Sequence, residues 1–366
     1  MEWNLKEMTG PEATGWNMDR LVTTEIKTGG RPGRGIMLPL YEAAVKANGN
    51  KPISLTIAQK LLELFNNANP PADGSKLTAF IMCGMGAMPF MPCGETDGPP
   101  GVASLARAIS IGLKGLPVIV APTRDYESTK AAVAAAGLAV LPEEEALITT
   151  ARCAVVLKFT ETGDNALTVV RQWMDKYQPK AVMAVEMFGP NRKGVKHFGS
   201  GRPVERLEKF PKTELFFEEA LKRGVFSVGC VDVGNEMGCG NIEEAVRKHT
   251  PFADVCNVEC KCQDGLAAHT KVSVCFPACV SNWAAYAITA MVGYLVQRPD
   301  VLQDDDTERQ VLIATASKGS VDGCMGAPYA SADGIPGHIH GCFVQILREI
   351  ATQALSGASI AGQISK

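Results

Sequence analysis

The chain has 366 residues, 46% hydrophobic and 20% charged, with a formal net charge of -3 and a pI near 6.0. That balance gives no electrostatic reason to bind nucleic acid or an anionic membrane, so the expected partner is a small molecule. The length suits one large α/β core, read as a single domain over residues 1–366.

The start, Met1-Glu2-Trp3-Asn4-Leu5-Lys6-Glu7, shows neither an apolar signal core nor the acid-free, Arg-rich character of a transit peptide. No apolar run reaches bilayer-spanning length, and a cytoplasmic location is expected. From residue 56 onward short β-branched runs alternate with amphipathic or Ala-rich segments. Helix-like stretches fall at 55–67, 102–113, 126–136, 165–177, 212–223, 242–248, 282–296 and 342–355. Strand-like runs fall at 77–83, 116–121, 138–141, 153–159, 181–186, 225–231, 271–278 and 311–314. The order predicts βαβ units: a mostly parallel sheet flanked by helices, a three-layer α/β/α fold with its ligand crevice at the C-terminal ends of the strands. Residues 189–211, rich in Gly, Arg and Lys, read as a long functional loop or lid. Asp304-Asp305-Asp306 reads as a solvated helix start, and there is no internal repeat.

Glu95-Thr96-Asp97-Gly98-Pro99-Pro100-Gly101 sets two carboxylates in a stiff turn between an apolar strand and a small-residue helix. Like charges held that close call for a cation; the bland alternative is a helix entry rich in acids and turn formers. A second dense run, residues 229–241, contains Asp232, Asn235 and Glu236 as hard oxygen donors among Gly234, Gly238 and Gly240. It lacks the spacing of a dinucleotide-binding or P-loop motif. Glu186 and Asp232 end strands and Ser281-Asn282 follows another, so these groups should converge. Asp322-Gly323 and Asp333-Gly334 are common turn pairs, weak alone. Lys318 and His338 add general acid, base or anion-binding groups, with His340 as a further candidate.

Twelve cysteines dispersed over a long chain read as reduced thiols. The cluster Cys256, Cys260, Cys262, Cys275 and Cys279 could hold a structural zinc or consist of small core residues; its Cys-x3-Cys and Cys-x-Cys spacings include no Cys-x2-Cys knuckle.

Taken in order over residues 20–350, the 95–101 run, Asp232-Val233-Gly234-Asn235-Glu236-Met237-Gly238, Val280-Ser281-Asn282-Trp283-Ala284-Ala285-Tyr286 and the two Asp-Gly pairs resemble the D-glutamate cyclase-like family. The resemblance implies a lyase of amino acid metabolism that interconverts D-glutamate with 5-oxo-D-proline and water, in an α/β fold carrying a divalent metal. Mn2+ is the ion implied, with Mg2+ or Ca2+ as substitutes. It carries Glu95, Asp97, Asp232, Asn235, Glu236 and Asp322 over as metal or site residues. Glu186 or Glu236 is the expected base, with Lys318 and His338 as further catalytic candidates; Ser281, Asn282, Gly98, Arg192 and Arg202 are the expected substrate contacts. Two departures from the family pattern stand out: Glu186-Met187 where relatives read Glu-Arg, and Val233-Gly234 where they read Gly-Gly. Arg192, Lys193 or Arg202 could replace the lost guanidinium. Two rival readings remain open: a metal-dependent hydrolase of a phosphate ester or cyclic amide, and a non-catalytic small-molecule binding protein. A homodimer is expected only from the frequency of symmetric oligomers.

Overall fold

The computed structural model describes residues 8–26, 35–68, 76–255 and 260–364. Three helices come first, α1 (Gly10–Val22), α2 (Met37–Ala47) and α3 (Ile53–Asn66). The sheet is then laid down as β1 (Thr78–Gly84), β2 (Leu116–Pro122), β3 (Ala139–Val140), β4 (Cys153–Phe159), β5 (Ala181–Met187), β6 (Phe226–Val231) and β7 (Val274–Pro277). Between the strands run α4 (Pro99–Arg107), α5 (Tyr126–Ala135), α6 (Glu143–Ile148), α7 (Ala166–Tyr177), α8 (Glu214–Arg223) and α9 (Glu243–His249). A single π-turn, Ala108–Gly112, extends α4. The chain closes with α10 (Ser281–Leu295), α11 (Asp305–Ala316), the small hairpin β8 (Ser331–Ala332) and β9 (Ile335–Pro336), and α12 (Gly337–Ile364).

The seven strands are all parallel, in the order β3-β4-β2-β1-β5-β6-β7. β1, β2 and β5 are buried at every position, which is why they read as continuous apolar runs without alternation. On one face α4, α5 and α10 cover the sheet, with α1, α11 and α12 packed outside them. On the other, Phe80 of β1 and Phe159 of β4 meet Phe216 of α8 edge to face, and Tyr177 and Trp173 of α7 complete the cluster. The result is the expected three-layer α/β/α arrangement. Among the described residues no helix is long and apolar enough to cross a membrane.

The order of the strands fixes where a ligand can bind. After β1 the chain winds outward through β2 to β3 and β4, then returns to pair β5 with the opposite side of β1. The connections that leave the C-terminal ends of β1 and β5 therefore diverge, opening a crevice between them.

One expected strand is a helix. Residues 311–314, Val-Leu-Ile-Ala, lie in α11, where Val311, Leu312, Thr315 and Ala316 are buried and Ile313 faces solvent. Four apolar residues cannot display a 3.6-residue period; the decisive signal lies upstream, where Asp304 accepts from Thr307 N at 2.8 Å and starts the helix. The run 138–141 yields only the two-residue β3, and 271–278 shortens to β7. The helices α1, α2 and α6 were not foreseen.

Candidate functional site

At the C-terminal ends of β1, β5 and β6 lies a cavity of about 460 Å³. Its acidic side is lined by Glu95, Glu186, Asp232, Asn235 and Asp333; its apolar side by Met85, Phe90, Met91, Phe188 and Phe198. A larger concavity of about 750 Å³ sits where β5 and β6 begin, lined by Lys60, Asp175, Lys180 and Arg223 among others. Asp175 there is engaged by Arg223 at 2.5 Å, so no uncompensated acid cluster marks that end.

Three strands of the sheet deliver these acids, apart from Asp333, which comes from the β8–β9 turn. Glu95 and Asp97 lie in the connection from β1 to α4, Glu186 is near the end of β5, and Asp232 follows β6 directly. Carboxylate oxygens of Asp97, Glu186 and Asp232 lie within 4.8 Å of one another, and all three residues are buried. Asp97 is held by amides: Oδ2 accepts from Ser281 N and Oδ1 from Asn282 N, both at 3.0 Å, at the start of α10. Glu186 adopts a left-handed backbone with φ +45°, unusual for a residue with a side chain, and Ser281 Oγ donates to its Oε2 at 2.5 Å. Gly98, at φ +108°, makes room for it; a Cβ there would stand 3.0 Å from Cys83 Cβ and 3.4 Å from Glu186 Cβ.

Burial and mutual repulsion raise the proton affinity of two of these acids, Glu186 and Glu95. Glu186 is pushed well above the usual carboxylate range by burial, then by the charges of Asp232, Glu236, Asp97 and Glu95. Glu95 is pushed up in the same way by burial, then by Asp333, Asp97, Asp232 and Asp322. Acids assembled so closely either hold protons or share a cation.

The donor set fits a hard divalent ion. Three carboxylates converge, and Asn235 Oδ1 is a buried amide oxygen lining the same cavity that accepts no hydrogen bond. Oxygen ligands of this kind suit Mg2+, Mn2+ or Ca2+.

Other expected site residues have different surroundings. Glu236 turns its carboxylate onto its own loop: Oε1 accepts from Val233 N at 3.0 Å, and Oε2 from Gly234 N at 2.7 Å and from Cys239 Sγ at 3.3 Å. Asp322 accepts five hydrogen bonds, from the amides of Cys324, Met325 and Gly334 (the last to both oxygens) and from Ser331 Oγ, and so orders the 322–334 loop. Glu236 and Asp322 therefore shape the turns that present Asp232 and Asp333. Asn282 Oδ1 accepts backbone amides, and neither it nor Ser281 lines the cavity. Arg192 pairs with Glu243 at 2.7 Å outside the cavity. Lys318 and His338 are exposed and away from it. His340 is buried: Trp283 Nε1 donates to its Nδ1 at 2.9 Å, while Nε2 faces the Ala332 and Ile335 carbonyls. Burial lowers its pKa to about 4, so it clamps the hairpin as a neutral ring.

Arg202 does reach the cavity, its guanidinium over the Phe90 ring at 5.4 Å. Among the described lining residues it carries the positive charge. Met187, at the departure from Glu-Arg, is fully buried in the main core with Sδ accepting from Thr213 Oγ1 at 3.5 Å. Asp333, at φ +55°, is a lining carboxylate that the sequence offers as a turn pair and as part of the family resemblance, but not as a site residue. Its signal was the pairing of residues 94–96 with Val321, which draws the 322–334 loop over β1 and is invisible in local sequence.

Residues 189–211 form a wall of this cavity through Phe198, Gly199, Ser200 and Arg202. Phe198 and Phe210 pack edge to face on Phe188, and the buried Lys196 pairs with Glu214 at 2.9 Å. In the cysteine cluster, Cys275 and Cys279 are buried core residues and Cys256 lies outside the described residues. Cys260 and Cys262 instead gather with His197.

Comparison with known proteins gives the family. A human protein, "D-glutamate cyclase, mitochondrial", is 27% identical over 206 residues, covering 56% of this chain and 30% of the human protein. The chain thus matches less than a third of that relative's length. The profile of the family described as "D-glutamate cyclase-like, C-terminal" matches residues 40–348, which include every strand of the sheet and all the cavity's carboxylates. By that match over most of its length, the chain belongs to the D-glutamate cyclase-like, C-terminal family.

Proposed function

We propose that this protein is a divalent-metal-dependent lyase that interconverts D-glutamate with 5-oxo-D-proline and water. The observation that carries the reading is the convergence of Asp97, Glu186 and Asp232 from three strands at the β1/β5 divergence. Family membership supplies the reaction class, and the human relative's name supplies the substrate.

Asp97, Glu186 and Asp232, with Asn235 Oδ1 from the cavity lining, would hold the ion, with Mn2+ as the first candidate. When bound, it would supply Lewis acidity toward a carbonyl or carboxyl oxygen. The chain's own groups do the rest. Arg202 on the rim pairs with the substrate α-carboxylate. The Phe90, Phe188 and Phe198 wall limits water.

In the cyclising direction the substrate ammonium nitrogen gives up two protons and bonds to the carbon of the γ-carboxyl group, one C–O bond of that carboxyl breaks, and the departing oxygen takes both protons and leaves as water. Glu186, which lines the cavity, is the carboxylate placed to pass those protons from nitrogen to oxygen, since a carboxylate that lends one oxygen to a cation keeps the other for a proton. Ser281 Oγ–H fixes the orientation of its Oε2.

The test is to incubate protein loaded with Mn2+, Mg2+ or Ca2+ with D-glutamate and with 5-oxo-D-proline, following both by chiral chromatography. Interconversion lost in Asp232→Asn, with the far-UV spectrum unchanged, is the expected result. No turnover of either compound with any of the ions overturns the assignment; tight binding without product would then favour a binding protein.

A further inference from the structure

A second cluster of ligating atoms lies behind the loop wall of the cavity, and its chemistry is different. His197 Nε2 stands 3.1 Å from Cys260 Sγ and 3.6 Å from Cys262 Sγ, and the two sulfur atoms are 3.3 Å apart. Zinc bonds of about 2.3 Å to sulfur and about 2.0 Å to nitrogen, tetrahedrally arranged, put such atoms roughly 3.5–3.8 Å apart. The observed triangle is within about half an ångström of that requirement. The sulfur separation is far from the length of a disulfide, about 2.05 Å.

The surroundings are those of a thiolate site. Asn191 Nδ2 donates to Cys262 Sγ at 3.3 Å and the Cys262 amide donates to Cys260 Sγ at 3.4 Å, so two N–H groups point at the sulfur atoms. Asn191 is itself fixed, donating to Gly265 O at 2.8 Å and accepting from the amides of Lys193 and Val195 at 3.0 Å. His197 is completely buried, whereas both cysteines are partly exposed. Thiolate and imidazole select zinc over the hard ions suited to the carboxylate cluster.

We propose that His197, Cys260 and Cys262 bind a structural zinc ion that ties the 189–211 segment to the 260–268 segment and thereby fixes one wall of the cavity. Two thiols lose their protons to solvent as two Zn–S bonds form, with no redox change. The link to the cavity is short: Asn235 Nδ2 donates to the His197 carbonyl at 3.0 Å, and Phe198, next in sequence, lines the pocket. The site stands independently of the cyclase reading, since its residues take no part in that chemistry.

The experiment is metal analysis of protein purified without chelator, followed by exchange of the ion for Co2+. Zinc at about one equivalent per chain, a thiolate-to-cobalt charge-transfer band in the near ultraviolet, and loss of both in Cys260→Ser and Cys262→Ser are expected. Chelation should also speed protease cleavage within 191–206. Because the variants can misfold, the deciding measurement uses the wild-type protein. If no thiolate–cobalt band appears, and Cys260 and Cys262 alkylate equally fast with and without added zinc, the proposal is overturned.

Discussion

Asp97 and Asn282 cap each other's helices. The Asp97 carboxylate accepts from the first two amides of α10, Ser281 N and Asn282 N, while Asn282 Oδ1 accepts from Gly98 N at 2.9 Å and Gly101 N at 2.7 Å at the start of α4. All of these groups are buried, so each helix start depends on a side chain supplied by the other. The same contact aims Asp97 at the carboxylate cluster. Asn282→Ala leaves the buried Gly101 N without its acceptor and Gly98 N with Asp97 Oδ1 alone, at 3.0 Å, and should lower stability by about 1–3 kcal/mol in urea unfolding. A loss below about 0.5 kcal/mol would mean that water replaces the amide oxygen there.

Replacing one acid of the cluster should separate metal binding from stability. Glu186→Gln removes a carboxyl that is ionised in the unfolded chain at pH 8 but that burial and neighbouring acids hold well above the usual range when folded, so the metal-free variant should unfold at a higher temperature than the metal-free wild type at that pH. The wild type should gain about 3 kcal/mol when Mn2+ is present at a hundred times its dissociation constant. The variant should gain much less at the same concentration. Equal gains in thermal unfolding would place the ion elsewhere.

Most of the sheet was legible because a strand buried on both faces reads as an unbroken apolar run: β1, β2, β4, β5 and β6 were all expected close to their observed positions. Val311–Ala314 was misread because its helical period exceeds its own length, and the cap that decides it, Asp304, sits seven residues upstream. The carboxylates were legible as chemistry but not as roles. Sequence shows that Glu236 is an acid beside Asp232, but not that its two oxygens are taken up by Val233 and Gly234 amides. His197 carried no local signal at all; only the fold brings it to two cysteines more than sixty residues away.

Stability of the metal-free protein should fall as pH rises from acid to neutral. Burial raises the Glu308 carboxyl to about 7, against Tyr286 and Gln303, and Asp125 to about 7, where it accepts from Gly86 N. Asp19, which accepts from Ile53 N, Ser54 N and Tyr41 Oη, is raised to about 6. For each, the folded state holds a proton that the unfolded chain has already released, so the contribution is full below about pH 4 and is lost as pH passes through 6 to 7. Glu308→Gln should flatten the curve between pH 5 and 8 by up to roughly 3 kcal/mol in denaturant titrations. A curve unchanged in that variant would show that Glu308 is already ionised in the native state.

Glu95 is kept in place by the absence of a side chain opposite it. A Cβ built on Gly323 would overlap Glu95 Oε1 and stand 3.2 Å from Met91 Cε, so Gly323→Ala must displace either the carboxylate or the loop that Asp322 orders. Both disturb the acidic side of the cavity, which Gly323 itself lines. The expected outcome is a stability loss of about 1–3 kcal/mol with a weakened response to Mn2+ in thermal unfolding. Gly163→Ala is the control, since a Cβ there meets no atom within 4 Å and φ is not in the left-handed region. A Gly323→Ala protein that binds Mn2+ as tightly as the control would mean that the position of Glu95 has no bearing on the ion, leaving Asp97, Glu186 and Asp232 to hold it without Glu95.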